Sequence, residues 1–563
     1  MSLCPVVQPA YTTTNVVFDP YRTSHPLTVE NFSNMQDGAY WFERLLRLEQ
    51  SWNSRLTTPR SILATDTAPQ TDIHFDILYA GGGLGMIHAA VLQCVHGKNV
   101  CVVDRYTAGL THRDWNISMP ELERLMQVGL FSRDEVMSFV QREYKGGFIR
   151  FHTPDTQAEP YWLENILDVA VSANGLLALA RKKFLDAGGT VYDNAELRRV
   201  WNSPKNATAH IHYQNTDLHI GATVMVDCMG AYSPLAAAMN PQRPFTHCCP
   251  TVGTISRGFK EGTGEREVNP DIGEILVTLS GADENGRQLI WEGFPGAGDE
   301  FITYLFYYDR IDSPFNKSLI DLYEVFFATL HTYKEASPAF DIGRPAFGMI
   351  PSYLHRAPWN TRTVALDAIV SLGDAAALSS PLTYCGFGSF VRNLERTTTL
   401  LADGVTNGLT SQQYLTRINA YEPQVAISAN FAQYLVAKPG ESPDEVNATM
   451  NTITNVLRKL PPSVGEELFR DTLSFGAYNL LMSSVPVFYP KAYSLLLRNG
   501  LSSALWWVLN FLGFAIHDIG RRLFTPLAQR LSTSTIQRIA FRAKARVFMY
   551  RDRRIEKRKA GIL

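Results

Sequence analysis

A hydrophobic run that leads straight into three consecutive glycines is the segment that most constrains the fold. Residues 75–80 read Phe-Asp-Ile-Leu-Tyr-Ala, residues 81–83 are all glycine, a helical pattern follows over 84–95, and a second strand pattern covers 99–104. Such a strand–turn–helix–strand unit of about 30 residues is typical of a parallel sheet that binds a dinucleotide. The glycines permit a tight turn and let backbone N–H groups approach a pyrophosphate, whose charge is favourable at the helix N-terminus.

The spacing inside this unit matches the dinucleotide fingerprint with one departure. Met86 occupies the position of the third glycine and Gly85 lies one residue early, which can loosen or re-aim the contact between helix and strand. Asp104 ends the second strand 21 residues after Gly83, where an acid accepts hydrogen bonds from a ribose. The unit therefore predicts the cofactor-binding residues Gly81, Gly82, Gly83, Gly85, Asp104 and Arg105.

Two distant segments indicate which dinucleotide is bound. Residues 372–376, Leu-Gly-Asp-Ala-Ala, and 381–388, Pro-Leu-Thr-Tyr-Cys-Gly-Phe-Gly, resemble the second FAD motif of flavoprotein hydroxylase-like enzymes, in which the Asp meets the ribityl chain. Residues 224–234 resemble the strand and turn by which the same superfamily returns to the FAD site. A dehydrogenase that binds only NAD has no reason to carry the Gly-Asp motif. The resemblance therefore implies FAD, with further contacts from Arg113, Gly230, Gly373, Asp374, Pro381, Gly386 and Gly388.

The order of these segments predicts how the 563 residues are divided. We expect an α/β fold in which a Rossmann-like FAD-binding domain is interleaved with an antiparallel-sheet substrate domain and followed by a mainly helical C-terminal region. The expected parts are an N-terminal extension (1–72), a discontinuous FAD-binding domain (73–245 and 340–400), a substrate-binding β-sheet domain (246–339), a helical region with a membrane-facing segment (401–520) and a basic tail (521–563).

Two short blocks and the helical C-terminal region point to a reaction. Residues 113–118 read Arg-Asp-Trp-Asn-Ile-Ser and residues 290–295 read Ile-Trp-Glu-Gly-Phe-Pro. Together with the C-terminal region they resemble the CruA- and CruP-type lycopene cyclase family over most of residues 70–520. The resemblance implies closure of ionone end rings on a linear carotene such as lycopene. It also implies acid/base chemistry assisted by reduced FAD without net redox change, with NAD(P)H as the expected reductant.

Ring closure by this route needs an apolar cleft, a proton source, a group that stabilises a carbocation and a base. Glu292 is a lone carboxylate among aromatic residues, where desolvation raises a pKa and ring faces stabilise a cation. We predict Glu292 as acid/base or cation stabiliser and Asp114 as the second candidate. The predicted aromatic pocket consists of Trp115, Trp291, Phe294 and Tyr304. The alternatives are a solvent-facing or surface-paired Glu292 and a purely packing role for Trp115.

Two other readings remain open. A true redox flavoenzyme, either a monooxygenase or a prenyl-chain reductase, would use NAD(P)H on a lipophilic substrate. A non-cyclising flavin-binding paralogue would have a protective role at the membrane. A flavin halogenase is disfavoured because the chain has no Trp-x-Trp-x-Ile-Pro block.

The net charge of −2 conceals an acidic body and a basic end. Residues 521–563 contain 13 Lys and Arg against two acids, a net charge of +11, so residues 1–520 carry −13. The preceding segment 501–516 is strongly apolar, but its 16 residues fall short of the ~20 that span a bilayer. Trp506 and Trp507 are typical of a headgroup boundary, and basic side chains beside an apolar helix attract anionic lipid. We therefore expect residues 501–559 to bind a membrane lipid surface; the alternative is a buried helix with a solvated tail.

Other partners are disfavoured by the sequence. The basic tail lacks the interleaved aromatic residues of a nucleic-acid site, and the seven cysteines, without metal-type spacing, indicate reduced thiols and no metal site. The first ten residues lack a secretory signal, and residues 1–60 are not poor in acids, so no cleavable leader is expected. The family resemblance implies a peripheral membrane protein of plastids (thylakoid or envelope) or of cyanobacterial thylakoids.

Overall fold

The computed structural model describes residues 15–57, 62–111, 113–154, 158–354, 361–378, 382, 386–418, 422–490 and 497–530. Pro381 and residues 531–563, most of the predicted basic tail, lie outside the described residues.

The described strands are β1 (Ile73–Ala80), β2 (Val100–Val103), β3 (Trp115–Ile117), β4 (Val140–Glu143), β5 (Gly147–Arg150), β6 (Tyr161–Leu163), β7 (Val169–Val171), β8 (Thr190–Tyr192), β9 (Glu196–Asn202), β10 (Ala207–Tyr213), β11 (Thr216–Asp227), β12 (His247–Phe259), β13 (Gly273–Val277), β14 (Ile290–Pro295), β15 (Phe301–Phe306), β16 (Asp309–Arg310), β17 (Ala336–Ser352), β18 (Ala365–Leu366) and β19 (Ile369–Ser371).

The described α-helices are α1 (Pro26–Asn34), α2 (Gly38–Thr57), α3 (Leu84–Cys94), α4 (Met119–Gln127), α5 (Arg133–Met137), α6 (Ala173–Asp186), α7 (Pro234–Met239), α8 (Leu319–Tyr333), α9 (Gly386–Thr406), α10 (Gln412–Leu415), α11 (Pro423–Ala432), α12 (Glu445–Leu457), α13 (Pro462–Phe469), α14 (Phe475–Phe488) and α15 (Leu501–Arg530). Short 3₁₀ turns cover Asn15–Tyr21, Gly230–Tyr232, Gly373–Ala375 and Gln433–Leu435.

The first sheet has the strand order β18-β19-β11-β1-β2-β8, with β10 and β9 added beside β11. Its central strands run parallel, and their buried Val, Ile and Ala side chains form a core with α3 and α6. In the register, Ala80 lies beside both Val103 and Asp227, and Asp227 lies beside Ser371. The carboxyl ends of β1, β2, β11 and β19 therefore meet at one edge of the sheet, the usual place for a ligand in such folds.

The second sheet is mainly antiparallel and has the order β16-β12-β15-β14-β13-β5-β6, with β17 paired along β12. Helix α8 covers one face, where the hydroxyl of Tyr323 donates to the carbonyl oxygens of Gly253 and Ala346, both at 3.0 Å. The opposite face carries Glu292 and Phe294 of β14 toward the first sheet. A small sheet of order β3-β7-β4 places Trp115 beside the same space.

The helical end of the chain packs on the second sheet through α11–α15. Trp507 of α15 is buried against Phe431 and Tyr478. The predicted headgroup position is therefore wrong for Trp507, because it lies on the side of α15 that faces the protein. The architecture confirms the predicted α/β fold with an interleaved sheet domain and a helical C-terminal region. Among the described residues, we find no helix with the length and apolar character to cross a membrane.

Candidate cofactor and active site

The backbone N–H groups at the N-terminus of α3, after the glycine turn that follows β1, are not covered by any side chain of the described residues. Gly81 has φ +101°, and a Cβ there would lie against the carbonyl oxygen of Cys228, so only glycine fits. The N–H of Gly82 donates to Oδ2 of Asp104 at 2.6 Å. A Cβ on Gly83 would meet nothing within 4 Å, and no side chain caps the helix at this residue. The turn therefore offers unobstructed backbone and a helix dipole to an anion.

Gly85 has a different position from the one predicted for it. A Cβ on Gly85 would lie 3.0 Å from Cβ of Cys228, so Gly85 makes the close contact between α3 and β11 rather than a cofactor contact. Met86, the residue at the fingerprint position, is fully buried in the core. Because the glycine lies one residue earlier than in the fingerprint, Gly85 and not residue 86 makes the close contact between helix and strand.

A cleft of about 960 Å³ lies along this edge of the sheet. Its lining includes Gly81, Gly83, Asp104, Arg105 and Gly230 of the predicted set. Besides the Gly82 N–H, the Asp104 carboxylate accepts the N–H of Tyr106 at Oδ1, at 2.7 Å. Each oxygen keeps a lone pair for a further donor such as a ribose hydroxyl.

The sequence reasoning missed one wall of this cleft. Helix α2, which belongs to the predicted N-terminal extension, lines it through residues between Tyr40 and Ser54. The available signal was the placement of Trp41, Arg44 and Arg47 on one face of α2, at helical spacing.

A second cavity of about 230 Å³ adjoins the first, and Phe347 lines both. It brings together three blocks that are far apart in the sequence: residues 113–116, β14 with β15, and the segment around Gly373 with the start of α9. From the predicted set it contains Arg113, Asp114, Trp115, Glu292, Phe294, Tyr304, Gly373, Asp374 and Gly386.

Glu292 is the most perturbed acid in this cavity. Its side chain is only 4% exposed and lies beside Phe294 and Tyr304. Among the described residues, no cation or hydrogen-bond donor is placed against its carboxyl. Burial alone raises the pKa of Glu292 well above its usual value. The solvent-facing alternative is therefore wrong, and the buried environment favours the protonated form of Glu292.

Asp114 lies in the same cavity but in a different electrostatic environment. Its buried carboxylate forms an ion pair with the guanidinium of Arg344. Burial raises the pKa of Asp114, and the charge and hydrogen bond of Arg344 act against that rise. Glu292 and Asp114 thus line one cavity, the first without a cation and the second paired with one, an arrangement that separates acid and base roles.

The Gly-Asp turn forms another wall. Gly373 has φ +61°, and a Cβ there would meet nothing within 4 Å. Asp374 lines the cavity with its carboxylate among protein atoms. This burial raises the pKa of Asp374, and the charge of the nearby Arg113 lowers it. Arg113 also donates to the carbonyl oxygen of Phe347 at 3.2 Å, which places it at the junction of the two cavities.

Polar and aromatic groups from β3 face the turn. The amide oxygen of Asn116 is buried in the cavity lining and has no hydrogen-bond partner among the described residues. Trp115 packs on Phe387 of α9 with ring centroids 4.5 Å apart. The cavity therefore presents an apolar platform and an unused acceptor side by side, a combination that suits a planar ring system with an N–H.

Two predicted site residues lie elsewhere. Trp291 is on the other face of β14 from Glu292, since successive strand residues alternate, and it stacks on Tyr333 of α8 at 4.6 Å. A Cβ on Gly388 would lie 2.6 Å from Oε2 of Glu121, so Gly388 serves the packing of α9 on α4. Trp291 is therefore removed from the substrate pocket and Gly388 from the cofactor contacts.

A buried polar chain beside the cavity was also missed. The hydroxyl of Tyr79 lies within hydrogen-bond distance of Nδ1 of His88, and Nε2 of His88 lies 2.9 Å from Oγ1 of Thr397. Burial lowers the pKa of His88 to about 3, so the imidazole is neutral. His88 and Thr397 both line the cavity. The sequence offered only a histidine in an apolar helix, which is no signal for a site.

Comparisons with known proteins agree with this architecture. No protein-family model and no curated protein sequence matches the chain. The solved structures that match include a geranylgeranyl bacteriochlorophyll reductase-like protein from Thermoplasma acidophilum, with a TM-score of 0.56 and 14% identity over 75% of this chain and 99% of that one. They also include halogenase PltM in complex with phloroglucinol and FAD, with a TM-score of 0.52 and 11% identity over 80% of this chain and 96% of that one. The chain thus shares the fold of this reductase-like protein and of halogenase PltM.

Proposed function

We propose that this protein is an FAD-dependent enzyme that cyclises the ends of a linear carotene such as lycopene. The observation that carries the proposal is Glu292, a buried carboxyl with a raised pKa in an aromatic cavity next to a dinucleotide-type cleft. The proposal combines this geometry with the resemblance of residues 113–118 and 290–295 to the lycopene cyclases. It goes beyond the structural comparison, which concerns the fold.

The residues along the two cavities fit FAD. The bare turn at Gly81 and Gly83 suits the pyrophosphate, and Asp104 has lone pairs for ribose hydroxyls. The orphaned acceptor of Asn116 suits a ring N–H in a cavity bounded by Trp115. Asp374 would face the ribityl chain. We propose NAD(P)H as the source of the electrons that keep FAD reduced.

The chemistry conserves atoms and electrons. The proton of Glu292 is added to the terminal double bond of the carotene, and the resulting tertiary carbocation forms a carbon–carbon bond with a second double bond. A base then removes a proton from the ring, for which the ionised Glu292 or Asp114 is available, so the product is an isomer of the substrate. Reduced FAD, when bound, would supply electron density that stabilises the cation. The rings of Phe294 and Tyr304 add to that stabilisation and exclude water.

A prenyl-chain reductase is the second candidate. The matched reductase-like structure from Thermoplasma acidophilum favours it. The cavity is compatible with it as well, since a proton donor in an apolar cavity also serves the reduction of an alkene. In that case two electrons and two protons are added to the substrate, and one NAD(P)H and one further proton are consumed per double bond.

The test is incubation of purified protein, FAD and lycopene in lipid vesicles under reducing conditions. We expect binding of FAD and conversion of lycopene to γ- or β-carotene of unchanged mass, with reductant needed only in catalytic amount. Products heavier by two hydrogens with stoichiometric NAD(P)H oxidation would establish the reductase instead. FAD binding with unchanged lycopene would favour the non-cyclising paralogue, and no FAD binding would overturn the whole proposal.

A membrane surface is the proposed source of such a substrate. Helix α15 exposes a continuous apolar stripe at spacings of three and four residues while its opposite side is buried. The stripe consists of Leu501, Leu505, Val508, Leu512, Ile516, Ile519 and Leu523, each at least 49% exposed. Val487 and Phe488 of α14 are exposed as well. With the basic residues that follow in the sequence, this stripe supports attachment to an anionic lipid surface, which we place in plastid or cyanobacterial thylakoid membranes.

Substitution within the stripe is expected to weaken membrane binding. The double variant Leu505→Glu, Leu512→Glu removes two apolar side chains from the bilayer and adds two charges, so partition should fall by a factor on the order of 100. Sedimentation with vesicles containing anionic lipid measures this change. Leu185→Glu, at an exposed apolar residue of α6, is the matched control and should bind like wild type. Equal partition of all three proteins would contradict the attachment.

A further inference from the structure

Helix α2 forms one wall of the dinucleotide cleft. It is fixed there by buried residues, with Trp52 packed edge-on against Tyr232 and Phe42 against Phe32. The other side of α2 lines the cleft, across from Arg105 and Tyr106 at the end of β2. A helix that precedes the βαβ unit thus forms part of the binding surface.

The cations on the two walls are not all compensated. Arg47 forms an ion pair with Glu43 within α2. Arg44 and Arg105, in contrast, have no carboxylate within ion-pair distance among the described residues, and both line the cleft. Asp104, next to Arg105 in the sequence, already accepts two backbone N–H groups, and Glu43, next to Arg44, is the acid that pairs with Arg47. The cleft therefore carries free positive charge beside the turn that would receive a pyrophosphate.

Arg44 is held in one orientation. Its guanidinium carbon lies 5.6 Å from the ring centroid of Trp41 and 5.2 Å from that of Tyr106, and one of its N–H groups donates to the hydroxyl of Tyr40 at 3.3 Å. Two aromatic contacts and a hydrogen bond use only part of the five donors of a guanidinium. The remaining donors are pre-oriented for an anion, so little side-chain entropy is lost when one binds.

We propose that α2 is a cofactor-binding element and that Arg44, with Arg105 opposite, binds the adenosine diphosphate half of the dinucleotide. This inference rests on the proposed binding of FAD and adds the part of the chain that encloses it. The ligand chemistry is a diphosphate ester of adenosine. The flavin end would bind in the second cavity, whose lining includes no residue of α2.

The test compares wild type with Arg44→Met, which keeps an unbranched apolar side chain between the two rings. Flavin fluorescence quenching gives the Kd for FAD, and competition by ADP gives its Ki. We expect Arg44→Met to raise both constants about tenfold or more, since a charged hydrogen bond is lost. Arg22→Met is the matched control, because Arg22 lies on the same extension in an exposed pair with Asp19, and both constants should stay at wild-type values.

The outcomes separate the two proposals. Wild-type constants for Arg44→Met would overturn the role of Arg44, and a change in Kd for FAD without a change in Ki for ADP would overturn the adenosine diphosphate assignment. If wild type binds ADP but not FAD, the proposed function fails while the effect of Arg44 on ADP, measured by calorimetry, still decides the inference. If wild type binds neither, both fail. Arg44→Gln replaces Arg44→Met should the latter fold poorly, and Arg105→Met, at an exposed residue of the other wall, should weaken both ligands in the same way.

Discussion

Glu292→Gln is expected to fold, to bind FAD with wild-type affinity and to lose carotene cyclisation by a factor of about 10²–10⁴. Glutamine has nearly the same shape, so the packing beside Phe294 and Tyr304 persists. What it lacks is the acidic proton, which burial of Glu292 favours by raising the pKa of its carboxyl. Product formation from lycopene, measured with the FAD content and the melting temperature of each protein, separates a catalytic effect from a structural one.

Two control variants sharpen this experiment. Glu123→Gln, at an exposed residue of α4, should cyclise lycopene at the wild-type rate. Asp114→Asn removes the acid that is paired with Arg344 and tests whether that carboxylate takes part in the reaction. A fully active Glu292→Gln with an inactive Asp114→Asn would transfer the acid/base role to Asp114.

Glu292→Gln also has a predicted effect on the free energy of unfolding. The pKa of Glu292 is raised in the folded protein, so between the ordinary pKa of a glutamate and the raised one the native state binds more protons than the unfolded state. The free energy of unfolding therefore falls as pH rises through that window, by about 1.4 kcal/mol per pH unit, and levels off above it. Glu292→Gln removes this dependence and should be more stable than wild type at pH 8 but not at pH 4.

Much of the fold could be predicted from local sequence, because glycine turns and apolar strands carry strong signals. The strand, turn and helix around Gly81 and the turn at Gly373 occur where the patterns indicated. Their meeting at one edge follows from the parallel order of β1, β11 and β19, which the resemblance to flavoproteins supplied. Placement of Glu292 in an aromatic cavity was also predicted from the aromatic residues around it, with a solvent-facing or surface-paired position as the alternative.

The errors have physical reasons. The block around Glu292 is aromatic on both sides, so the sequence could not tell which parity of β14 faces the cavity, and Trp291 was assigned to the wrong face. Trp507 was assigned to a headgroup boundary because tryptophan suits both an interface and a core. The role of α2 could not be seen because it depends on a long-range contact between residues before the βαβ unit and the end of β2. Such contacts arise from tertiary packing, which local periodicity does not encode.

A buried ion-pair network fixes α9, whose first residues line the second cavity. The guanidinium of Arg392 pairs with Glu121 of α4 and lies 3.4 Å from Oε2 of Glu422, and it also donates to the carbonyl oxygens of Arg470 and Asp471. The side chains of Arg392 and Glu121 are 4% and 2% exposed. Gly388, one turn earlier in α9, leaves the space that the Glu121 carboxylate occupies. One arginine thus joins four segments around the cavity wall.

Arg392→Leu is therefore expected to destabilise this region by about 3–5 kcal/mol, because it leaves the carboxylate of Glu121 buried without a cation. Hydrogen exchange of the amides of α4 and α9 should become faster by a factor on the order of 10²–10³. FAD affinity should fall as well, since Gly386 and Phe387 at the start of α9 line the cavity.

A double variant shows whether the unpaired charge of Glu121 causes the loss of stability. If the unpaired charge is responsible, the double variant Glu121→Gln, Arg392→Leu should regain part of the lost stability, whereas a loss due to packing alone would persist or grow. Arg22→Leu, which breaks an exposed pair with Asp19, should change the free energy of unfolding by less than about 1 kcal/mol. Exchange rates in α4 and α9 that stay at wild-type values in Arg392→Leu would mean that neither the network nor the charge fixes α9, and the cavity wall would then depend on apolar packing alone.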